Sequence, residues 1–393
     1  MVAAIASSAE VPLDMNSVLD PPDRQALARA YGAARRRLYL ANLALSLLVP
    51  LAGYWSGASE GAWYALAATE WPLAIRAMLF LGLLHVAISL VDLPLAWYGG
   101  HVLPQAVGQS RQSFPGWLAD WTKSMALGVL FAVLAAGWFY WSFAQWGERW
   151  WVVVASGYSL AGVSLTFIAP YVIVPLFFRM RPVDDANVRQ RIEALSERAG
   201  ARVREVCTLD FSRRTADGNA AVLGIGRSRR VVVSDTLLAS FPADEVDAVV
   251  AHELGHHVHR DVPRLLLVHL LSLWVGLALA AWGGPRLLPV LSQPTLGYVP
   301  AYPQVLALAG LWSVLSAPLL NVVSRRAEAR ADQFALRVTG QPRAFASAMR
   351  RLGQQNLAEM QPPRWAELLL GTHPSLASRV RAAETFEPGR ATP

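Results

Sequence analysis

The sequence predicts a mainly α, multi-pass α-helical membrane protein of about six spans, carrying a cytoplasmic α+β domain built from two insertions. Three observations predict it. Of 393 residues, 54% are hydrophobic and 16% charged, against about 25% charged in an ordinary globular domain. Six apolar runs approach or exceed the roughly 20 residues that a helix needs to cross a bilayer. The connections between those runs alternate between arginine-rich and nearly arginine-free, as topology-setting loops do.

The runs fall at residues 38–54, 73–97, 125–141, 152–178, 265–282 and 305–323. The fourth has no charge from Val152 to Phe178, and its Pro170 and Pro175 predict a kink near one end. Aromatic residues crowd several ends, as at 138–141 and 146–151, in the manner of an interfacial belt. Arg24, Arg29, Arg35, Arg36 and Arg37 precede the first run, whereas the connection 55–72 holds Glu60 and Glu70 and no basic residue. Arg111 and Lys123 come before the third run, Arg149 beside Glu148 follows it, and Arg286 is alone between the last two. Residues 179–264 and the tail are rich in arginine. The pattern places both termini and both polar regions in the cytoplasm, in what is expected to be a bacterial inner membrane. No cleavable signal peptide is expected, because Glu10 and Asp14 interrupt any apolar core and no basic residue precedes it. The net charge of +7 is thereby assigned to orientation, and no nucleic-acid partner is expected. The single Cys207 excludes an internal disulfide and a cysteine-ligated metal cluster; it reads as a small core residue in a strand.

Four segments follow: an N-terminal arm with four spans (1–178), a first cytoplasmic segment (179–264), two spans (265–323) and a second cytoplasmic segment (324–393). Each cytoplasmic segment is small for a core of its own, so the two are expected to pack as one domain. Residues 184–199 read as an amphipathic helix, with Val188, Ile192, Leu195 and Ala199 on one stripe. Residues 203–209, 220–225 and 230–234 read as strands, with Gly224 and Gly226 marking a turn. A further helix is predicted over 243–260, with Asp244 and Glu245 in its first turn.

That helix carries His252, Glu253 and His256 in an H-E-x-x-H pattern. Histidines four apart share a helix face and can hold one zinc, and the adjacent glutamate can move a proton from an attacking water to a leaving amine. The competing reading is a surface helix whose histidines only hydrogen-bond. A catalytic zinc needs a third protein ligand. Glu328 and Asp332 lie four apart in an arginine- and alanine-rich run leaving the sixth span. Glu328 suits the ligand, and Asp332 suits the acceptor for a ligating histidine's other N–H. Spacing leaves open that both acids merely pair with neighbouring arginines on a solvated face.

From about the second span to the tail, the sequence resembles the integral-membrane zinc metalloproteases of the CAAX prenyl protease 1 type, relatives of the HtpX-like membrane proteases. Leu93-Pro94 with Tyr98, then Phe114, Trp117, Asp120 and Lys123, is similar to that family's N-terminal region. Ile168-Ala169-Pro170, Pro175-Leu176-Phe177, residues 210–214, Asn219-Ala220 and residues 231–238 follow in the expected order. The resemblance implies a zincin-like fold and one Zn²⁺ per chain held by His252, His256 and Glu328, with Glu253 catalytic and Asp332 behind the ligands. It implies that His373, followed by Pro374, and Arg379 sit by the zinc as oxyanion donors. Asn219 is implied beside an edge strand where a peptide adds by backbone pairing.

The activity so implied is peptide-bond hydrolysis at the cytoplasmic side, removing a C-terminal tripeptide from prenylated proteins, with a water-filled intramembrane chamber as its setting. The expected partners are a peptide or protein substrate, C-terminally lipidated on this reading, and the lipid bilayer. An HtpX-like quality-control protease of membrane proteins is the alternative; a non-catalytic scaffold or transport component is the non-enzymatic one.

Departures bear on the substrate and not on the zinc chemistry. The family's aromatic after Asn-Ala is Ala221, and the asparagine often found after Pro-Leu-Phe is Phe178. Eukaryotic members have seven spans, against six here, and a further histidine at the position of Asp261. His257 and His259 point away from the paired ligands and read as solvent or interfacial contacts. Asp92, inside an apolar run, is a functional or an interfacial acid. Arg76 is expected to snorkel, and His85 and His269 to be packing residues.

Overall fold

The computed structural model describes residues 22–224, 229–287 and 297–387. Gly226, Glu10 and Asp14 lie outside the described residues. Five helical stretches are long and apolar enough to cross a membrane: Arg24–Trp55, Ile75–Ala106, Phe114–Phe177, Asp261–Gly284 and Val299–Thr339. The first belongs to α1 (Pro22–Trp55); a short α2 (Ala58–Ala67) leads to α3 (Leu73–Trp97). The third stretch is a hairpin of α4 (Phe114–Trp146) and α5 (Trp150–Val172), because Gly147 takes φ 50° between them. Trp138 Nε1 donates to Val153 O over 3.1 Å and Tyr158 OH to Ala135 O over 2.8 Å, which sets the two helices antiparallel. The six apolar runs of the sequence therefore each occupy a long helix. Large apolar side chains stand outward on them, Leu160 at 69% and Leu319 at 70% exposure, the surface that a lipid environment covers.

The fourth run was predicted through Phe178, but α5 stops at Val172 and only a short turn of helix, Val174–Phe177, follows. Pro175 has no N–H to give the carbonyl four residues earlier, and the helix breaks there. The chain then forms β1 (Met180–Pro182), a strand the hydrophobic pattern did not mark. After α6 (Ala186–Arg198), capped by Asp185 Oδ1 on the Asn187 and Val188 amides, come β2 (Glu205–Leu209), β3 (Ala220–Leu223) and β4 (Arg230–Ser234). The strand order is β1-β2-β4-β3. β2 and β4 are parallel, β1 and β3 antiparallel to their neighbours, and β3 is an edge strand among the described residues.

Beneath the sheet run α7 (Asp235–Ser240) and α8 (Ala243–Val258), and α9 (Asp261–Leu287) leads into the membrane run. Arg260, at φ 54°, makes the turn between α8 and α9. The 38-residue α10 (Tyr302–Thr339) is unbroken, about 57 Å at 1.5 Å per residue. It joins the last apolar run directly to the polar domain. α11 (Pro342–Gln355), α12 (Arg364–Leu369) and α13 (Leu376–Glu384) complete the chain.

One hydrophobic core takes residues from both polar segments: Ile192, Leu195, Val231 and Leu254 from the first, Leu336, Phe345, Met349 and Val380 from the second. Buried Glu245, at the start of α8, ties that helix to α11 through Arg351 Nε at 2.7 Å and Ser347 Oγ at 2.6 Å. α1 also reaches the domain, where Arg36 Nη1 meets Glu359 Oε1 at 2.5 Å and Arg24 Nη2 donates to Gln354 O at 2.6 Å.

Candidate active site

Two helices build the centre. Along α8, His252 and His256 are one turn apart, and the face they share turns toward α10. Contact between the helices is close because small residues meet there: Ala327, Ala331 and Ala335 are at most 2% exposed, and Ala331 lies opposite Gly255. Glu328 and Asp332, one position beyond the first two alanines, are thereby carried to the histidines.

His252 Nε2 and His256 Nε2 lie 3.1 Å apart. Glu328 Oε2 is 3.3 Å from the first and Glu328 Oε1 is 3.3 Å from the second. The other nitrogen of each ring is committed: His252 Nδ1 is 2.9 Å from Asp332 Oδ1, and His256 Nδ1 is 3.1 Å from Asp261 Oδ2. Carboxylates only accept, so each Nδ1 carries a proton, and a metal ion would take the lone pair of each Nε2. Two lone pairs and a carboxylate then face one point, and Glu328 Oε2 is buried without a well-oriented donor. Such a donor set repels itself unless a cation stands among its members. Donors about 2.0–2.1 Å from a tetrahedral zinc are about 3.3 Å apart, close to the spacings found. The residues fit a zinc ion.

With no cation among these donors, the electrostatics favour a second proton on His252, which a metal ion would displace. Burial pulls His252 down, but its hydrogen bonds with Asp332 and Glu328 outweigh it and lift the imidazole to about 9. Burial pushes the Glu253 carboxyl above the usual carboxylate range, opposed by His252 and His256. That direction suits a group which must take up and release a proton.

The centre opens on a cavity of about 530 Å³ lined by Asn219, His252, Glu253, Glu328, His373 and Arg379, with Val249, Met349, Leu352 and Leu376 among its apolar residues. Asn219 is exposed, and its backbone exchanges hydrogen bonds with Ser234 while β3 continues from it. His373 Nδ1 comes within 2.8 Å of Glu328 Oε2. Arg379 clamps Asp332 at two points, Nε to Oδ2 at 2.9 Å and Nη2 to Oδ1 at 2.6 Å, and its Nη2 is 3.3 Å from His252 Nδ1. Of the residues singled out in the sequence, Asn219, His252, Glu253, Glu328, His373 and Arg379 line that cavity, while His256 and Asp332 lie against Glu328 and His252. His259 turns its Nδ1 onto Gly255 O at 2.8 Å, away from the centre.

Asp261 was noted in the sequence only as a departure, yet it is 1% exposed and accepts from His256. Arg330 was not noted at all; its Nη2 donates to Asp261 Oδ1 over 2.7 Å. The signal lay in spacing, since Asp261 follows His256 by five and Arg330 follows Glu328 by two.

Comparison with known proteins gives the same picture at larger scale. Residues 182–387 match peptidase family M48, and residues 2–179 match the CAAX prenyl protease N-terminal region, described as five membrane helices. The uncharacterized metalloprotease YhfN of Bacillus subtilis is 27% identical over 323 residues, 78% of this chain and 73% of its own. CAAX prenyl protease 1 of Saccharomyces cerevisiae is 26% identical over 340 residues, 79% of this chain and 72% of its own. The crystal structure of S. mikatae Ste24p shares the fold, with a TM-score of 0.80 at 22% identity over 97% of this chain and 93% of that one.

Proposed function

The chain belongs to peptidase family M48, and from that premise we propose that it cuts protein substrates with one Zn²⁺ held by His252, His256 and Glu328. It is a multi-pass membrane metalloprotease of the CAAX protease type. The zinc, the residue roles and the substrate class are our reading. The observation that carries it is the convergence of two Nε2 atoms and the Glu328 carboxylate on one point, with each Nδ1 held by an acid.

When bound, zinc supplies Lewis acidity, which polarises a carbonyl and lets a water lose its proton near neutral pH. Glu253 takes that proton and returns it to the leaving amine. It is next to His252 in sequence, lines the cavity, and is free of the ligand contacts. His373 and Arg379 line the same cavity and direct donors toward the carbonyl oxygen as it gains charge. Asn219 and the free edge of β3 hold the substrate extended by backbone pairing.

The substrate class we assign is proteins with a prenylated C-terminal motif, from which the last three residues are removed. Support comes from the apolar residues of the cavity and from the N-terminal membrane region matched in CAAX prenyl proteases. We assign the centre to the cytoplasmic side of a bacterial inner membrane, and the arginine-rich connections support that sidedness.

Metal analysis and peptide cleavage by detergent-purified protein test this reading. We expect one zinc per chain and faster cleavage of a prenylated peptide than of the same peptide without its lipid. Zinc-free protein with no cleavage supports a scaffold and overturns the proposal. Equal cleavage of both peptides keeps the peptidase and removes the lipid from the substrate class.

A further inference from the structure

Asp332 and Arg379 back one ligand histidine; the other has a matching pair that the enzyme's proposed chemistry leaves unexplained. Asp261 is the first residue of α9, the helix that enters the membrane. Its carboxylate is almost completely buried, with Oδ2 on His256 Nδ1 at 3.1 Å and Oδ1 on Arg330 Nη2 at 2.7 Å. Arg330 belongs to α10, two residues past Glu328. Arg264 also approaches Asp261, at 3.9 Å, but is itself 60% exposed and contributes little.

An acid in the first turn of a helix is favoured by the helix dipole alone. That role needs neither burial nor a histidine, and solvent would satisfy it. Here the left-handed turn at Arg260 swings the Asp261 side chain back under α8 and against the ligand ring. A buried carboxylate held only by an imidazole N–H would be poorly compensated, and Arg330 supplies the counter-charge.

Resting on the zinc reading above, we propose that Asp261, held by Arg330, is a positioning residue that fixes the tautomer and direction of His256. The ligand is thereby aimed by a carboxylate on α9 and a guanidinium on α10, so its geometry depends on how these two membrane-entering helices sit together. Fixing Nδ1–H directs the Nε2 lone pair, and loss of such partners commonly weakens metal affinity by about 10–100-fold.

The test compares zinc release to a chelating dye from full-length wild type, Asp261→Ala, Asp261→Asn and Arg330→Gln, together with the visible spectrum of each Co²⁺-substituted protein. We expect release about 10–100-fold faster in Asp261→Ala and intermediate in the other two. The Co²⁺ bands should shift in all three. The double variant Asp261→Asn with Arg330→Gln should release zinc about as fast as the faster single variant and clearly slower than the two single effects multiplied, because the residues act as one unit. If Asp261→Ala does not fold, the two polar variants decide the matter. Wild-type release and wild-type Co²⁺ bands in both would overturn the proposal while the zinc reading stands. A wild type that takes up no zinc would overturn both.

Discussion

Gly255 on α8 passes Ala331 on α10 so closely that a Cβ on the glycine would lie 3.1 Å from the Ala331 Cα and 3.1 Å from the Phe334 ring. Gly255 stands between the two ligand histidines, and Ala331 between Glu328 and Asp332. The helices therefore pass closely at the level of the proposed metal centre. Gly255→Val must push α10 away, because the obstacle is backbone, at a cost of about 1–3 kcal/mol. We expect a lower Tm and zinc well below one per chain, with Gly255→Ala milder in both. Full zinc occupancy in the valine variant would show that this contact does not set the ligand spacing.

Glu253 and His252 are neighbours with separable duties. Removal of the carboxylate leaves all three donors in place, so Glu253→Ala should keep its zinc while turnover falls by at least about 10²–10⁴-fold. His252→Ala should lose zinc and turnover together. Metal stoichiometry beside a peptide-cleavage assay separates the two, and turnover retained by Glu253→Ala would assign the proton transfer to another group.

Helical spans, the ligand histidines and the Glu328–Asp332 pair were legible because each is a local pattern: an apolar run, or two residues one turn apart. What joins them is not local. Arg36 meets Glu359 across 323 positions, and Asp261 reaches His256 through the left-handed turn at Arg260. Val174 through Phe178 look apolar enough to extend a span, and Pro175 decides otherwise. Strand β1 is three residues long and takes its place from pairing with β2, Pro182 opposite Cys207, which no window of its own sequence reports. The alanines 327, 331 and 335 were visible as composition, but the close approach at Ala331 required a partner helix bearing Gly255.

Substrate pairing with β3 follows from the register of the sheet. Asn219 and Ser234 exchange hydrogen bonds, so Ala221 faces β4 while the backbone groups of Ala220 and Val222 point outward. Val222→Pro removes one outward N–H and leaves the β4 ladder intact, a substitution that edge strands tolerate. We expect KM to rise several-fold, roughly the loss of one backbone hydrogen bond of about 1 kcal/mol. Zinc content and Tm should stay close to wild type. An unchanged KM would place the peptide elsewhere in the cavity.

Arg379 is the counter-charge to Asp332, and we propose that it also donates to the developing oxyanion. The first is a two-point contact between nearly buried groups, 10% and 7% exposed, and Asp332 in turn holds His252. Lysine keeps the charge but cannot reproduce the planar fork. With the charge retained, Arg379→Lys should keep its zinc. With the donor geometry lost, kcat should fall by about 10²-fold, within the range for removing one oxyanion donor, while KM changes little. Arg379→Ala also strips Asp332 of its partner, a loss of about 3–5 kcal/mol for a broken buried pair, so its zinc and Tm should fall as well. Measuring kcat, KM and zinc content across both variants distinguishes the roles: a lysine variant with wild-type kcat would leave Arg379 as counter-charge alone.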